Sequence, residues 1–370
     1  MAHIEGFNAG VELKKYISGI DASVDIDNLE SSLRQAAVDV RDIISPEVYS
    51  LYIKHVELTD IPDAPAENEA SSEAYLRWKM MEEMAELLRV PLSAIAFHHH
   101  FIWLTIRVSN SGVTTTKSTQ ETTAYKYQTS EAKNSLLQRA YAGYSDLIDF
   151  LTEHADKFSD FAPAFDYKAD DLISQYGTFY KANADFTSLE AFDAADWTQA
   201  PASEVFLLEW TLSDQKRESE SLIFTNYRDF DKYYGIDRSA AFFIKARHII
   251  RKNIMSHLKP RFGTAYPADL MEEIKTFLAY QTVADAIIRL DINWLPESIR
   301  GPINDEMNKK GGDVQFIREN LRNKLIEDAK DFLKGIDMAR SSKAQTGSET
   351  PSFIQFEVKP DADRKYVSSL

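Results

Sequence analysis

The chain has 370 residues, 44% of them hydrophobic, which is enough for more than one core on the usual prior of about 150 residues per domain. Its 42 Lys and Arg against 58 Asp and Glu leave a formal charge of −16. This disfavours nucleic acid and anionic lipid as partners, because tight binding to phosphates is driven by Lys and Arg displacing counterions. The absence of cysteine excludes disulfides, thiolate chemistry and cysteine-ligated metal. Met1 to Gly6 lacks a basic region followed by an apolar one, and no uninterrupted apolar run reaches the roughly 18 residues that span a bilayer, so a soluble chain made in the cytoplasm is expected.

In chain order, a short mixed segment runs to about Ser18 and is punctuated by Gly19-Ile20-Asp21. Asp25 and Asp27 precede Leu29, Leu33, Ala36, Ala37, Val40 and Ile44, a spacing of three and four that predicts a helix with an acidic start. Pro46 suits the first turn of a second helix, in which Val48, Leu51 and Tyr52 share a face. Residues 57–72 form an acidic loop with Pro62 and Pro65. Met80, Met84, Leu87 and Leu88 mark a stripe after Tyr75, and Pro91 opens a further helix through Ile95. Phe97 to Val108 is aromatic and β-branched, compatible with a helix end or a strand, and gives way to Ser109-Asn110-Ser111-Gly112 and a threonine-rich stretch. Leu137, Tyr141, Tyr144, Ile148 and Leu151 predict a long helix over 130–154.

The character changes from Phe158 to Glu220, where Phe161, Phe165, Phe179, Phe186, Phe192 and Trp197 are scattered among acidic and small residues. Val205 to Leu212 reads as a buried strand with Leu222-Ile223-Phe224 as its partner. Helices return over 240–258, ended by Pro260 and Gly263, then at Leu270, Ile274, Phe277 and Leu278, and last at Leu321, Leu325, Ala329 and Phe332. Arg340 to Ser352 is small and polar, a linker by composition. Beyond it Phe353, Ile354, Phe356 and Val358 belong to a strand that the linker leaves free to roam, with the last three on one face.

Four short matches occur in the same order in both halves. Gly19-Ile20-Asp21 pairs with Gly235-Ile236-Asp237, and Arg41, Ile43 and Ile44 with Arg247, Ile249 and Ile250. Met81-Glu82-Glu83 pairs with Met271-Glu272-Glu273, and Asp149-Phe150-Leu151 with Asp331-Phe332-Leu333. The interval shrinks at each step, as longer loops in the first copy would make it do. The fold expected is therefore mainly α: two related helical bundles from an internal duplication, with a small strand-containing insert and an extended C-terminal arm. The expected boundaries are 1–157 for the first bundle, 158–225 for the aromatic bridging insert, 226–339 for the second bundle, and 340–370 for the linker and strand arm.

The residues offer little chemistry. His98-His99-His100 attracts attention, but three neighbours diverge along a helix or strand and cannot close around one ion, and no ligand motif accompanies them. Asp21, Asp25, Asp27 and Glu30 lack the glycine and spacing of a calcium loop and read as helix-capping residues. Met80, Met81 and Met84 read as core, Glu82-Glu83 as a solvated face, and Gly311-Gly312 as a turn without the Lys-Ser/Thr of a phosphate loop. No catalytic, cofactor-binding or metal-ligating residue is expected, and an enzyme, such as a hydrolase using Glu82 and Glu83, is disfavoured. The one basic concentration comprises Arg247, His248, Arg251, Lys252, His257, Lys259 and Arg261. It suits either an acidic partner, including another copy of the chain, or a solvated helix face.

Ile106-Arg107-Val108-Ser109-Asn110-Ser111-Gly112-Val113, then Thr123-Ala124-Tyr125-Lys126-Tyr127-Gln128 and the helix ending Leu147-Ile148-Asp149-Phe150-Leu151, resemble a family of proteins encoded in tailed phages and prophages. The likeness is sharp over about 106–151 and loose elsewhere, and Ile299-Arg300-Gly301-Pro302-Ile303 departs from the pattern in the second half. By analogy with head–tail connectors, the resemblance implies a structural virion protein: a neck or adaptor subunit forming a ring through which DNA passes as cargo. The partners implied are copies of itself, the portal and other neck or tail proteins, with no sequence-specific nucleic acid binding, no membrane and no cofactor. A tail, baseplate or other scaffold-binding module is the alternative. The expected subunit contacts are Phe353, Ile354, Phe356 and Val358, pairing with a neighbour's sheet edge, together with Arg247, Arg251 and Lys252. Deleting the chain from about Arg340 is expected to spare the bundles and abolish assembly.

Overall fold

Apolar residues spaced three and four apart govern most of the chain, and the structure, a computed structural model, is accordingly mainly α. It describes residues 4–7, 10–17, 26–58, 62, 72–109, 112–115, 126–175, 178–201, 205–263, 265–310, 313–346 and 353–355. Two compact units emerge, Met1–Lys216 and Arg217–Leu370.

In the first unit a tight N-terminal hook, with Ile4 bridged to Phe7, leads into α1 (Gly10–Tyr16). A short 3-10 turn, Ile26–Leu29, precedes α2 (Glu30–Ile44) and α3 (Pro46–Val56). Between these helices Ser45 adopts φ 84°, its amide donates to the Arg41 carbonyl, and its hydroxyl accepts from the Val48 amide, so one residue closes α2 and opens α3. Pro46 at the first helical position gives up an amide that has no helical partner there.

The centre of this unit is the pair α4 (Glu73–Thr105) and α5 (Lys126–His154). Lys133 reaches the Phe101 ring while Gly143 meets Pro91, so the two helices run in opposite senses. The expected break at Pro91 does not occur: α4 runs through it as one helix. A proline in a helix interior costs about 3 kcal/mol. The tertiary packing holds α4 together across it, with α5 so close that a Cβ on Gly143 would lie 2.9 Å from both Pro91 Cδ and Val90 Cγ1. Met84, Leu88, Leu92, Leu147 and Leu151 are buried in this unit, as are Leu33, Val40 and Ile44 of α2, which packs on α4. The ambiguity after Phe97 resolves as helix to Thr105, followed by a hairpin of β1 (Ile106–Ser109) and β2 (Gly112–Thr115) that pairs Ser109 with Gly112.

The insert carries strands, though not where the apolar run suggested. A four-stranded sheet is ordered β3 (Phe158–Asp160), β5 (Leu172–Gln175), β6 (Thr178–Ala182), β8 (Trp197–Ala200), with β4 (Asp166–Tyr167) and β7 (Phe186–Thr187) forming a separate antiparallel ribbon. Tyr167, Ile173, Ala182 and Trp197 form its core, surrounded by Phe161, Tyr180, Phe186 and Phe192. Val205–Leu212, by contrast, is a turn followed by α6 (Leu208–Thr211). Leu207 is left-handed (φ 52°), and Asp156 fixes the turn by accepting from the Phe206 amide at 2.7 Å and donating its own amide to the Phe206 carbonyl. A short apolar run identifies burial, not conformation. α7 (Asp214–Glu220) follows, and the division between the units falls within it.

In the second unit Leu222, Ile223 and Phe224 are buried without a strand ladder; Phe224 packs on Phe230 at 4.7 Å between ring centroids. After α8 (Tyr227–Asp231), α9 (Ala240–Asn253) is capped by Ser239, passes through a π-helical turn (Ile254–Leu258) into α10 (Lys259–Phe262), and stops at Gly263 with φ 67°. β9 (Ala265–Pro267) leads to α11 (Met271–Arg289), α12 (Glu297–Lys310) and α13 (Val314–Thr346). α11 and α13 also run in opposite senses: Arg318 donates to the Ile287 and Leu290 carbonyls near one end, and Phe332 meets Tyr280 further along. Residues 340–346, expected as linker, continue α13 as helix. The C-terminal strand, β10 (Phe353–Gln355), pairs antiparallel with β9 of its own chain. Gly311 and Gly312 lie outside the described residues.

Candidate functional site

In each unit, chemistry-bearing side chains collect where a polar group closes the helical core. The hook of the first unit presents Glu5 at a turn with Glu5 and Gly6 both at positive φ. Tyr49 and Tyr52, three apart and therefore on one face of α3, receive it. The Tyr49 hydroxyl donates to Glu5 Oε2 at 2.5 Å, the Tyr52 hydroxyl to the Glu5 carbonyl at 3.2 Å, and the Arg41 guanidinium lies 3.6 Å from Glu5 while stacking on the Tyr49 ring. Gly6 has no substitute: a Cβ there would fall 2.0 Å from the Tyr52 hydroxyl. Beside this, Glu86 of α4 accepts from Lys15, from Tyr16 at 2.9 Å and from Arg89 at 3.0 Å. A little further along α4, His55 Nε2 lies 2.9 Å from Glu82 Oε2.

Burial pushes the Tyr49 and Tyr52 phenols well above the ordinary range, and the Glu5 hydrogen bond raises Tyr49 further. Burial alone would raise Glu86 too, but the hydrogen bonds from Lys15 and Tyr16 outweigh it and hold the carboxyl below its usual value. Both phenols therefore stay protonated as donors and the carboxylate stays ionised. This arrangement ties chain segments together.

In the second unit Glu218 of α7 binds Arg247 Nε at 2.5 Å and Arg251 Nη1 at 3.4 Å, and Arg261 binds Asp337 of α13 at 3.0 Å. Lys275 of α11 donates to Asp229 at 2.8 Å; burial would raise that carboxyl, but Lys275 and the Thr225 amide hold it below the usual range. The Tyr233 hydroxyl donates to Glu272 at 3.1 Å, and burial followed by that bond pushes its phenol up to about 12.

The predicted contact residues fall apart into three groups. Arg247 and Arg251 are committed to Glu218 within their own chain. Lys252 is exposed. Phe353 and Ile354 belong to β10, opposite Pro267 and Tyr266, so their backbone already has a partner at one edge; Phe356 and Val358 lie outside the described residues. Arg340, where the truncation would begin, lies within α13, with its guanidinium over the Phe262 ring at 5.7 Å.

His98, His99 and His100 sit on α4 and diverge as helical neighbours do. His99 pairs with Asp39 of α2 at 2.9 Å, His100 is held below the ordinary histidine range by burial, and no group of three or more His, Cys, Asp or Glu suited to a metal occurs among the described residues. Asp27 follows the acidic reading only in part: it lies in the 3-10 turn before α2, whereas Asp21 and Asp25 are outside the described residues. Glu82, expected in solvent, is half-buried against His55, while Glu83 is exposed.

Residues 40–170 match a family described as being of unknown function (DUF6712). That span begins at the end of α2, takes in α3 to α5, and ends in the insert, so it holds the α4–α5 pair and the segments quoted above for the phage resemblance. No curated protein and no solved structure matches the chain. No helix among the described residues is long and apolar enough to cross a membrane.

The clamp residues Glu5, Tyr49, Tyr52, Glu86 and Arg89 escaped sequence reasoning. The available signals were small: Glu86 and Arg89 form an i, i+3 pair on a largely apolar helix, and Tyr49 and Tyr52 share a face. Glu5 carried no signal, since nothing local says that a residue at the start of the chain returns to α3.

Proposed function

We propose that the chain is a non-enzymatic structural subunit of a tailed-phage particle, a head–tail connector or adaptor that forms a ring in the neck with DNA passing through as cargo. The observation that carries this reading is the build of the two units. In each, a long pair of oppositely directed helices, α4–α5 or α11–α13, is packed by a further helix, α2 or α9, and its polar groups are spent on holding segments together. A charge of −16 supports the cargo role, because a conduit must not grip the phosphates that slide past it.

Such a design is consistent with duplication, which we propose for these two helical units. Arg41 of α2 reaches back to Glu5, and its counterpart Arg247 of α9 reaches back to Glu218. Virion location, with the portal and other neck or tail proteins as neighbours, follows from the same reading.

Light scattering with negative-stain microscopy of the full chain tests it. Rings with a central channel, and no retention on duplex DNA at physiological salt, are expected. A monomer that persists up to high concentration would point instead to a tail, baseplate or other scaffold-binding module.

A further inference from the structure

The basic helix face divides into an inner row that is neutralised and an outer row that is not. Arg247 and Arg251 share Glu218, and Arg261 takes Asp337. Lys252 and Lys259 are exposed and have no carboxylate partner among the described residues. Between them Met255 stands 43% exposed on the π-helical turn. Such turns recur at functional sites, because they shift the residues that follow out of helical register. In a chain of charge −16, exposed lysines flanking an exposed methionine form a local surface opposite in sign to the net charge.

The first unit carries the complement. At the end of the β4–β7 ribbon two hydrogen bonds join Phe165 and Ser188, the Phe165 amide giving to the Ser188 side-chain Oγ at 3.0 Å and the Ser188 amide to the Phe165 carbonyl at 2.9 Å. Two exposed apolar side chains, Phe165 (52%) and Leu189 (69%), therefore stand at one end of the ribbon, Phe165 just before β4 and Leu189 just beyond β7. Asp166 and Glu190 flank them, both exposed. The lysines of the lobe are already taken, Lys168 by Asp185 and Lys181 by Asp170.

Resting on the ring reading above, we propose that the Lys252–Met255–Lys259 face docks on the Phe165–Leu189 tip of another copy of this chain, apolar side chains meeting at the centre and lysines meeting Asp166 and Glu190 at the rim. The two surfaces differ, so the contact is heterologous, and repeating it closes a ring or extends a filament. Opposite charges at the rim fix which surfaces meet and speed encounter.

Two charge-reversed full-length chains test this, Lys252→Glu/Lys259→Glu and Asp166→Lys/Glu190→Lys. All four positions are exposed, and unchanged circular dichroism and melting establish that each variant folds. Each alone is expected to self-associate at least ~100-fold more weakly than the parent chain, because like charges then face each other. An equimolar mixture is expected to recover assembly, which only contact between copies can produce. Parent-like assembly of either variant alone, or no recovery on mixing, overturns the docking while leaving the ring reading standing. A parent chain that never assembles removes the ring reading itself and the docking with it. Retention of the parent chain on duplex DNA, lost in Lys252→Glu/Lys259→Glu, would assign the lysines to nucleic acid and overturn the proposal.

Discussion

The two units fasten their helices with the same chemistry delivered by different pieces of chain. In the first, the acid is Glu5, carried on a four-residue hook, its carboxylate held by the Tyr49 hydroxyl with Arg41 at 3.6 Å and its main-chain carbonyl by the Tyr52 hydroxyl. In the second, the acid is Glu218, carried on α7 and gripped by Arg247 and Arg251. An arginine of the packing helix, Arg41 of α2 or Arg247 of α9, reaches the carboxylate in both units, and the segment that brings the carboxylate differs.

The strongest way to probe this likeness is in the cores. Leu88 of α4 and Leu278 of α11, counterparts under the proposed duplication, are both fully buried. Leu88→Ala and Leu278→Ala should each cost about 2–5 kcal/mol, read by calorimetry or denaturant melts. Equal losses would sharpen the equivalence, whereas a loss below about 1 kcal/mol at one position would break it.

The clamps come next. Gly6→Ala must place a Cβ against the Tyr52 hydroxyl at positive φ, and Glu218→Gln removes the charge that two half-buried arginines share. Each should cost about 1–3 kcal/mol. Hydrogen exchange should show Gly6→Ala loosening α1 and α3, and Glu218→Gln loosening α7 and α9. Protection changes confined to the same helices in both variants would contradict two separate clamps.

The smallest effect is that of acid, and it acts in the same direction in both units. Burial lowers the pKa values of His100, His248 and His257, with Arg247 and Arg261 adding to the last two respectively. An unfolded chain then takes up protons first, so this stability is present above about pH 6.5 and is lost as pH falls from there towards the lowered folded values. Glu86 and Asp229, held low by Lys15 and Lys275 against the opposing effect of burial, add a second loss once pH falls through the carboxylate range. Thermal melts between pH 8 and 3 should show midpoints level down to about pH 6.5 and falling below it. A flat profile above pH 5 would contradict the histidine contribution.

The sequence by itself determined the helices, because their signal is local. The spacing of Leu33, Ala37, Val40 and Ile44 and the punctuation by Pro46 and Gly263 all find their place in the structure. It also located an insert of different character, since scattered aromatics among acidic residues cannot make an amphipathic stripe. What it could not settle were pairings between distant segments. Val205 to Leu212 became a turn and a short helix because Asp156 and the left-handed Leu207 fix it there, and the strands formed instead from Phe158 to Ala200. Pro91 stayed inside α4 because α5 packs against it, and β10 found β9 in its own chain. The same holds for the site: Arg247 and Arg251 read as a free basic face until Glu218, far away in sequence, was brought beside them. Periodicity is written in neighbouring residues, whereas a strand's partner or a charge's counterion depends on which remote segment the fold delivers, and only tertiary structure decides that.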